Sequence, residues 1–340
     1  MSAVFYEGSQ TISTGICTPV PPGAGQVQIK VAYGGICGTD LHIYHGAMDR
    51  RIKTPQIIGH EISGVVSAVG EEVTGFAVGD AVSVMPLDTS RCLPRDLSYS
   101  HICEHLQFMG IDSPGGFQSY WTVPAYTLHH LPKGMPLRYG ALIEPLAVAC
   151  HDVRMGQVQA GEEVVVLGGG PIGMLVAMVA QSVGANVLVS EINPYRVELA
   201  RSLGIDAINP KERELPAYVL EKTDGRGVDV VFEVTGSTAG AEIMTQLPRI
   251  RGRIVVVGIF NKPAPVDLFR FFWRELNLQG ARVYEHQDFD YAIKLAAEGR
   301  LALDRIITQV RPLHELQTGL QLMESGGEVM KILLEIEPES

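Results

Sequence analysis

The sequence has no excess of basic residues, few cysteines and no uninterrupted apolar run typical of a membrane span. It contains 38 acidic and 27 basic residues, for a net charge of -11. Nucleic acids and anionic membranes attract basic surfaces, so this balance argues against both as partners and suits a small neutral or cationic ligand. The longest apolar stretch, 164–183, contains three consecutive glycines and a proline. These residues divide it into a strand, a turn and the start of a helix.

The five cysteines are widely spread and odd in number, so we expect no disulfide framework. The N-terminal segment MSAVFYEGSQ lacks the basic and apolar regions of a signal peptide. Together these features favour the reducing cytoplasm. There, a cysteine with a special role acts as a metal ligand or as a nucleophile.

The pattern of apolar residues changes along the chain, and its 340 residues are more than one hydrophobic core usually serves. The first 145 residues carry short β-type runs separated by glycine and proline, which predicts an all-β or barrel-like unit. From about 160 to 285, continuous apolar runs alternate with helical spacing, which predicts a parallel sheet covered on both faces. The tail from about 286 follows the order helix, strand, helix, strand. The change near 148–160 marks the domain boundary.

The segment VVVLGGGPIG is the strongest single motif, because Gly168, Gly170 and Gly173 follow a predicted strand and open a helix. The first glycine permits a tight turn, the second lets a pyrophosphate approach the backbone, and the third allows close packing of helix on strand. Glu191 ends the next strand, where its carboxylate can accept hydrogen bonds from ribose hydroxyls and repel a 2′-phosphate. A packing turn followed by a surface glutamate is the alternative.

The motif therefore predicts a dinucleotide site that prefers NAD to NADP. Arg196 complicates the preference, since an arginine can bind a phosphate, stack on adenine or lie in solvent. The remaining residues predicted to contact the cofactor are Pro171, Ile172, Arg196, Thr235 and Gly258.

Three segments carry residues of the types that bind zinc. GGICGTDLHIYHG contains Cys37, IIGHEISGVV contains His60 and Glu61, and ALIEPLAVACH contains Glu144. Each segment alone is ordinary, because a buried cysteine is usually packing and a His-Glu pair usually lies on the surface. Their combination ahead of a dinucleotide fold predicts a catalytic zinc, which takes three protein ligands and leaves one position open.

These motifs resemble those of the zinc-containing medium-chain alcohol dehydrogenases, and within them the sorbitol, threonine and butanediol dehydrogenase group. The similarity runs from about residue 15 to the C-terminus and includes GGICGTDLHIY, the GHE of 59–61, Gly79-Asp80, Glu144-Pro145 and GGGPIG. The resemblance implies an α/β protein with a GroES-like β catalytic domain, 1–147 and 286–340. This domain encloses a Rossmann domain with a doubly wound parallel sheet, 148–285.

The resemblance also implies roles for individual residues. Cys37 and His60 become catalytic zinc ligands, Glu61 a ligand in some states, and Glu144 either a ligand or the holder of the zinc water. Thr39 accepts the proton of the substrate hydroxyl and passes it through the nicotinamide ribose to His42, a residue type that changes charge near neutral pH. Without the resemblance, Thr39 is a turn hydroxyl and His42 a surface histidine.

One segment departs from the family pattern. Relatives carry four cysteines in a lobe that binds a structural zinc, whereas TSRCLPRDLSYSHIC keeps Cys92 and Cys103 and has Thr89 and Arg95 at the other positions. A closed zinc site needs four ligands, so we expect a single zinc per chain. Two further donors could complete the count only at a different spacing: Asp96 and His101.

The predicted function is reversible, zinc-dependent transfer of hydride from a secondary alcohol, on a polyol, sugar or amino alcohol, to NAD. The resemblance implies a homodimer or homotetramer whose contacts involve 254–260 and 268–273. Two alternatives remain. One is a zinc-free quinone or enoyl reductase, which lacks the combination of Cys, GHE and EP. The other is a binding or structural protein that has kept the fold and lost turnover.

Overall fold

The computed structural model describes residues 1–337 and divides into two compact units. The first unit is built from both ends of the chain, and the second from its middle. Their segments are Met1–Glu144, Glu285–Gly299 and Leu303 onward for the first, and Pro145–Tyr284 with Arg300–Ala302 for the second. In the part of the chain described, no helix is both long and apolar enough to cross a membrane.

The strands are β1 Ser2–Gly8, β2 Thr11–Ile16, β3 Gln26–Gly35, β4 Gln56–Ile57, β5 Glu61–Val69, β6 Ala81–Val84, β7 Leu87–Asp88, β8 Gln107–Phe108, β9 Tyr120–Pro124, β10 Leu128–His130, β11 Glu163–Leu167, β12 Asn186–Ser190, β13 Asp206–Ile208, β14 Val228–Glu233, β15 Pro248–Val256, β16 Asn277–Gly280, β17 Ile307–Pro312 and β18 Lys331–Glu335.

The α-helices are α1 Gly38–Tyr44, α2 Leu137–Gly140, α3 Ile143–Met155, α4 Pro171–Val183, α5 Pro194–Ser202, α6 Leu215–Lys222, α7 Thr238–Met244, α8 Leu268–Arg274, α9 His286–Ala297, α10 Leu303–Ile306 and α11 Leu316–Ser325. Short 3-10 helices span Pro94–Ile102, Ala125–Thr127 and Leu313–Glu315.

The first unit is organised around a seven-stranded sheet of order β10-β6-β5-β3-β18-β17, with β9 also paired to β3. β3 is the centre of this sheet, because β5, β9 and β18 all run antiparallel to it. The register sets Gly35, the last residue of β3, opposite both Glu61 and Leu333. The end of β3, the start of β5 and the beginning of β18 therefore meet at one place, although they are far apart in sequence.

The second unit contains a parallel six-stranded sheet of order β13-β12-β11-β14-β15-β16. Counted from β11 this is the order 3-2-1-4-5-6, which defines a doubly wound dinucleotide-binding fold. Its central strands are buried on both faces, with Val165 and Val231 fully inaccessible. The predicted fold class is confirmed, and so is the helix, strand, helix, strand order of the tail, to which the structure adds the short α10.

Two features differ from the sequence-based expectation. Cys92 and Cys103 form a single disulfide with a Cα–Cα distance of 6.0 Å, a pairing that the sequence analysis did not predict. The β1–β2 hairpin near the N-terminus was also not predicted. Its strands are half exposed, and β2 lacks a clear apolar alternation.

Candidate metal and cofactor sites

Cys37, His60 and Glu61 form the group of metal-binding side chains found among residues 1–337. One ligand atom from each lies within 4.8 Å of the others. Cys37 caps the N-terminus of α1, His60 directly precedes β5, and Glu61 is the first residue of that strand. His60 and Glu61 are buried and Cys37 is half-buried. The structure thus brings together three of the four predicted metal ligands.

Asp40 supports this group from the first turn of α1 and was not predicted as a site residue. Its Oδ2 accepts a hydrogen bond of 2.9 Å from the backbone N–H of Cys37, and its Oδ1 lies 3.8 Å from Nδ1 of His60. A carboxylate behind a ligating histidine orients the ring and strengthens it as a ligand. The spacing of Asp40 three residues after Cys37, in one helical turn, was a signal that could have identified it.

Burial and negative charge perturb the ionisable groups of the cluster. Burial raises the pKa of Asp40 above its usual value. Burial alone would lower the pKa of His60, but the charges of Asp40 and Cys37 outweigh it and raise that pKa to about 10. The cluster therefore concentrates negative charge that favours a cation.

Lys331 supplies a second, unpredicted contact to the cluster. Its ammonium donates a hydrogen bond to Oε1 of Glu61 at 2.5 Å and lies 2.5 Å from Oε2. Burial alone would lower the pKa of Lys331, but the charges of Glu61 and Cys37 outweigh it and raise the pKa. Lys331 opens β18, so strand register rather than sequence proximity places it beside Glu61.

The residues present fit a zinc ion. A thiolate, an imidazole and a carboxylate form a donor set that zinc prefers. Nδ1 of His60 and Oδ1 of Asp40 are buried and have no hydrogen-bond partner within the described chain. Buried polar atoms are rarely left in this state, and here they lie at the group that would hold the ion.

Glu144 lies in the first turn of α3 and is 5% exposed. It does not belong to the three-residue group, yet its negative charge contributes to the raised pKa values of His60 and Lys331. It is therefore close enough to act on the site electrostatically. Its role as a ligand or as the holder of the zinc water stays a prediction.

Thr39 and His42 lie on α1, which begins directly after Cys37. Both side chains are half-buried, and their place on the helix that carries the thiolate keeps them near the cluster. The proposed proton relay through these two residues stays a prediction.

β8 contacts the cluster through Phe108, whose ring meets that of His60 edge to face with 5.3 Å between ring centroids. Farther out, the disulfide occupies the two remaining cysteines of the eroded lobe, and both Asp96 and His101 are buried there. Phe117 is fully buried and packs beside Gly59, the residue before His60.

The predicted dinucleotide fingerprint lies between β11 and α4 as expected. Gly168 has a φ of +97°, a conformation that favours glycine. A Cβ on Gly173 would approach the carbonyl oxygen of Gly168 to 1.8 Å, so the helix packs on the turn more closely than any other residue allows. Gly170 caps α4, with Pro171 and Ile172 in its first turn. The N-terminus of α4 is thus free to face a phosphate.

The carboxylate of Glu191 is tied to this turn. Oε2 accepts a hydrogen bond from the backbone N–H of Gly169 at 2.8 Å, and Oε1 accepts from those of Ile192 and Asn193 at 2.6 and 2.8 Å. Arg196 lies 3.9 Å away and near Gly170. A carboxylate offers about four acceptor sites, so capacity remains for a ribose hydroxyl.

Glu233 shapes the neighbouring turn and was not predicted. Its buried carboxylate accepts hydrogen bonds from the backbone N–H groups of Thr235 and Gly236, while its carbonyl accepts from Gly258 at 2.8 Å. Thr235 thereby meets Gly168, since a Cβ on that glycine would lie 2.9 Å from the threonine methyl. The structure brings both predicted residues, Thr235 and Gly258, to the carboxyl edge of the parallel sheet.

A doubly wound dinucleotide fold and a buried thiolate–imidazole–carboxylate cluster in one chain define a metal-dependent dehydrogenase. Comparison with known proteins agrees with this class. Residues 23–133 match the alcohol dehydrogenase GroES-like domain, and residues 171–298 match the zinc-binding dehydrogenase domain.

Individual relatives cover all or most of the chain. The 2-dehydro-3-deoxy-L-galactonate 5-dehydrogenase of Pseudoalteromonas atlantica is 52% identical over 340 residues, 100% of both chains. The sorbitol dehydrogenase of Halalkalibacterium halodurans is 35% identical, with 92% of each chain covered. The crystal structure of 2R,3R-butanediol dehydrogenase from Bacillus subtilis superposes with a TM-score of 0.92 at 31% identity, covering 99% of both chains. The chain belongs to the zinc-containing medium-chain alcohol dehydrogenase family, which confirms the resemblance and the predicted dehydrogenase activity.

Proposed function

We propose that this enzyme oxidises a secondary hydroxyl of a sugar acid with NAD as the hydride acceptor and zinc as the resident metal. The observation that carries the proposal is the Cys37–His60–Glu61 group in a chain that also has the dinucleotide fingerprint. The substrate class rests on the 52% identity over full length with a sugar-acid 5-dehydrogenase. It refines the polyol, sugar or amino-alcohol class that the sequence predicts.

Cys37 and His60 would hold the zinc, with Glu61 or Glu144 as the third protein ligand. When bound, zinc supplies Lewis-acid activation of the substrate oxygen, and NAD accepts the hydride from the substrate carbon. Asp40 would act on the His60 ring by its charge, since its Oδ1 lies 3.8 Å from Nδ1, beyond hydrogen-bond distance. Gly168, Gly170 and Gly173 with Glu191 would bind the pyrophosphate and ribose of NAD.

The hydroxyl proton must leave as the carbonyl forms. We assign its first acceptor as the hydroxyl of Thr39 and its release to His42, both on α1. Histidine suits the last position because it exchanges protons near neutral pH. One secondary alcohol and one NAD thus yield one carbonyl, one NADH and one proton.

The test combines metal analysis with substrate screening. We expect NADH production from 2-dehydro-3-deoxy sugar acids to exceed that from sorbitol or threonine at equal concentration. Cys37→Ala should lose both zinc and turnover, whereas Cys17→Ala should keep both, because Cys17 lies outside the cluster and contacts Gln118. Full turnover without zinc would contradict the proposal.

We further propose a homo-oligomer, a dimer or tetramer. α8 exposes Phe272 and Trp273 by 78% and 71%, an unusual patch for a monomer. β16, the adjacent edge strand of the six-stranded sheet, has an open side for pairing with a second copy. Of the predicted contact run 254–260, Ile254 and Val255 are fully buried within β15, so only its later part is available.

A cytoplasmic location and the domain boundaries remain proposals. The location suits the half-buried Cys37, which must stay reduced to bind zinc, whereas a disulfide such as Cys92–Cys103 is rare in that compartment. The boundaries proposed are 1–147 with 286–340 for the catalytic domain and 148–285 for the Rossmann domain. Limited proteolysis and alkylation of free thiols in cells would test these two points.

A further inference from the structure

Lys331 is a buried lysine to which the proposed function assigns no role. It is 3% exposed, and its ammonium binds the carboxylate of Glu61, which is fully buried. Glu61 also belongs to the candidate metal group, so one carboxylate faces two cation positions at once.

The backbone restricts where this carboxylate can go. Glu61 pairs with Gly35 across the β3–β5 ladder, and a Cβ on Gly35 would lie only 1.9 Å from Oε2 of Glu61. Glycine thus provides the space in which the carboxylate lies, and the lysine closes the other side with two contacts of 2.5 Å. The position of Glu61 is consequently set by Lys331 rather than by free rotation.

The number of donors gives this restraint a chemical meaning. A catalytic zinc takes three protein ligands and keeps one position for substrate, whereas four protein ligands close the site. This site has four candidate donors: Cys37, His60, Glu61 and Glu144. One carboxylate must therefore be withheld from the metal for the substrate to bind.

We propose that Lys331 is a positioning residue that withholds Glu61 from the metal and so keeps one coordination position exchangeable. The proposal rests on the zinc site of the proposed function. The positive charge of Lys331 also offsets one of the acidic groups that surround the site, since its ammonium faces a cluster of carboxylate and thiolate groups.

The test uses the full-length enzyme loaded with cobalt(II), whose visible spectrum reports the coordination of the metal. Free imidazole serves as the probe for an open position, and a chelator measures the rate of metal release. In Lys331→Met, Glu61 is free to bind, so we expect an altered spectrum and cobalt release slower by roughly tenfold. Imidazole should then be needed at a higher concentration to shift the spectrum. Lys331→Arg should restore the unmodified behaviour.

The Glu61→Gln background decides whether Lys331 acts through Glu61. There, adding Lys331→Met should leave the spectrum and the release rate unchanged, because position 61 no longer supplies a carboxylate for Lys331 to withhold. Comparing Glu61→Gln with the Glu61→Gln, Lys331→Met double variant also keeps the test possible if Lys331→Met alone fails to fold. The double change removes both members of the buried ion pair and so leaves neither charge unpaired. An effect of Lys331→Met in that background would overturn the proposal.

A matched control is Lys30→Met, which removes a surface lysine of the same unit that lies 4.0 Å from Glu337. It should behave as the unmodified enzyme. Cobalt binding with identical spectra in the unmodified enzyme and Lys331→Met would overturn the role of Lys331 and leave the proposed function intact. Absence of cobalt binding to the unmodified enzyme would overturn both.

Discussion

Replacing Glu191 with alanine tests whether one carboxylate both shapes the fingerprint turn and selects the cofactor. The change removes three hydrogen bonds, from the backbone N–H groups of Gly169, Ile192 and Asn193. The Gly169 bond is buried, so that N–H group would lose its partner without full access to water. A hydrogen bond to a charged group contributes about 1.5–3 kcal/mol, and an unsatisfied buried donor costs a similar amount.

Because the two bonds to Ile192 and Asn193 are partly accessible to water, we count each at about 0.5 kcal/mol, the low end for any hydrogen bond, and the buried Gly169 bond at about 2 kcal/mol. We therefore expect Glu191→Ala to lower the free energy of unfolding by about 3 kcal/mol. For a domain of this size each kcal/mol moves the melting temperature by about 2–4 °C, which gives a decrease of roughly 6–12 °C in calorimetry. Glu191→Gln keeps one carbonyl acceptor, so its melting temperature should lie between those of the unmodified enzyme and Glu191→Ala.

The same variant should narrow the preference for NAD over NADP, since it loses both the acceptor for the ribose hydroxyl and the charge that repels a 2′-phosphate. Steady-state kinetics with the two cofactors measure this ratio. Glu198→Ala is the matched control, because Glu198 is an exposed residue of the same unit that pairs with Arg201 on the surface. It should change stability by less than about 0.5 kcal/mol. An unchanged ratio of NAD to NADP efficiency in Glu191→Ala would refute the role of Glu191 in cofactor selection. An unchanged melting temperature would refute its role in stabilising the turn.

Three further predictions concern other parts of the chain. Glu144→Gln should lower turnover about 100-fold while NADH binding and folding stay near normal; near-normal turnover with full zinc would make Glu144 a structural residue. Changing Phe272 and Trp273 to aspartate should shift the mass measured by light scattering towards the monomer, and a monomeric unmodified enzyme would disprove the oligomer. The Cys92→Ser and Cys103→Ser double variant should lose about 2–4 kcal/mol of stability yet keep about one zinc per chain by metal analysis. A second tightly bound zinc in the unmodified enzyme would contradict this.

The dinucleotide site was predictable because its information is local. Gly168, Gly170 and Gly173 act within one strand–turn–helix, and the apolar runs of a parallel sheet are continuous in sequence. The metal group was harder to predict than the dinucleotide site. Residue types alone do not show that a helix cap, a loop and a strand start, which carry Cys37, His60 and Glu61, converge. The resemblance supplied that step.

Lys331 and the disulfide lay beyond such reasoning. Lys331 reaches the site because β18 pairs with β3 in one particular register, and pairing between distant strands leaves no periodic trace in either segment. The odd cysteine count argued against a disulfide framework, but the count does not show which two cysteines face each other. Asp40 could have been found, because its spacing from Cys37 is that of a single helical turn.

The charge of the metal group implies that zinc stabilises the first unit as well as serving chemistry. Asp40, Glu61 and Glu144 are buried or nearly so around Cys37 and His60, and without the metal their charge is offset by Lys331 and by a proton on His60, whose pKa is raised to about 10. An ion that binds only the folded chain adds RT ln(1 + [L]/Kd) to the free energy of unfolding, or about 4 kcal/mol at a thousandfold excess over Kd. Removing zinc with a chelator should therefore lower the melting temperature of the first unit, and adding zinc back should restore it.

NADH should protect the second unit independently, since the residues proposed to bind it lie within 168–258 and none is a proposed metal ligand. Calorimetry of the enzyme with chelator, with NADH and with both separates the two effects. Equal melting temperatures with and without zinc, in a protein shown by metal analysis to have lost the ion, would mean that the first unit is preorganised. In that case hydrogen bonds and protons, rather than the metal, would balance the buried charge of the site.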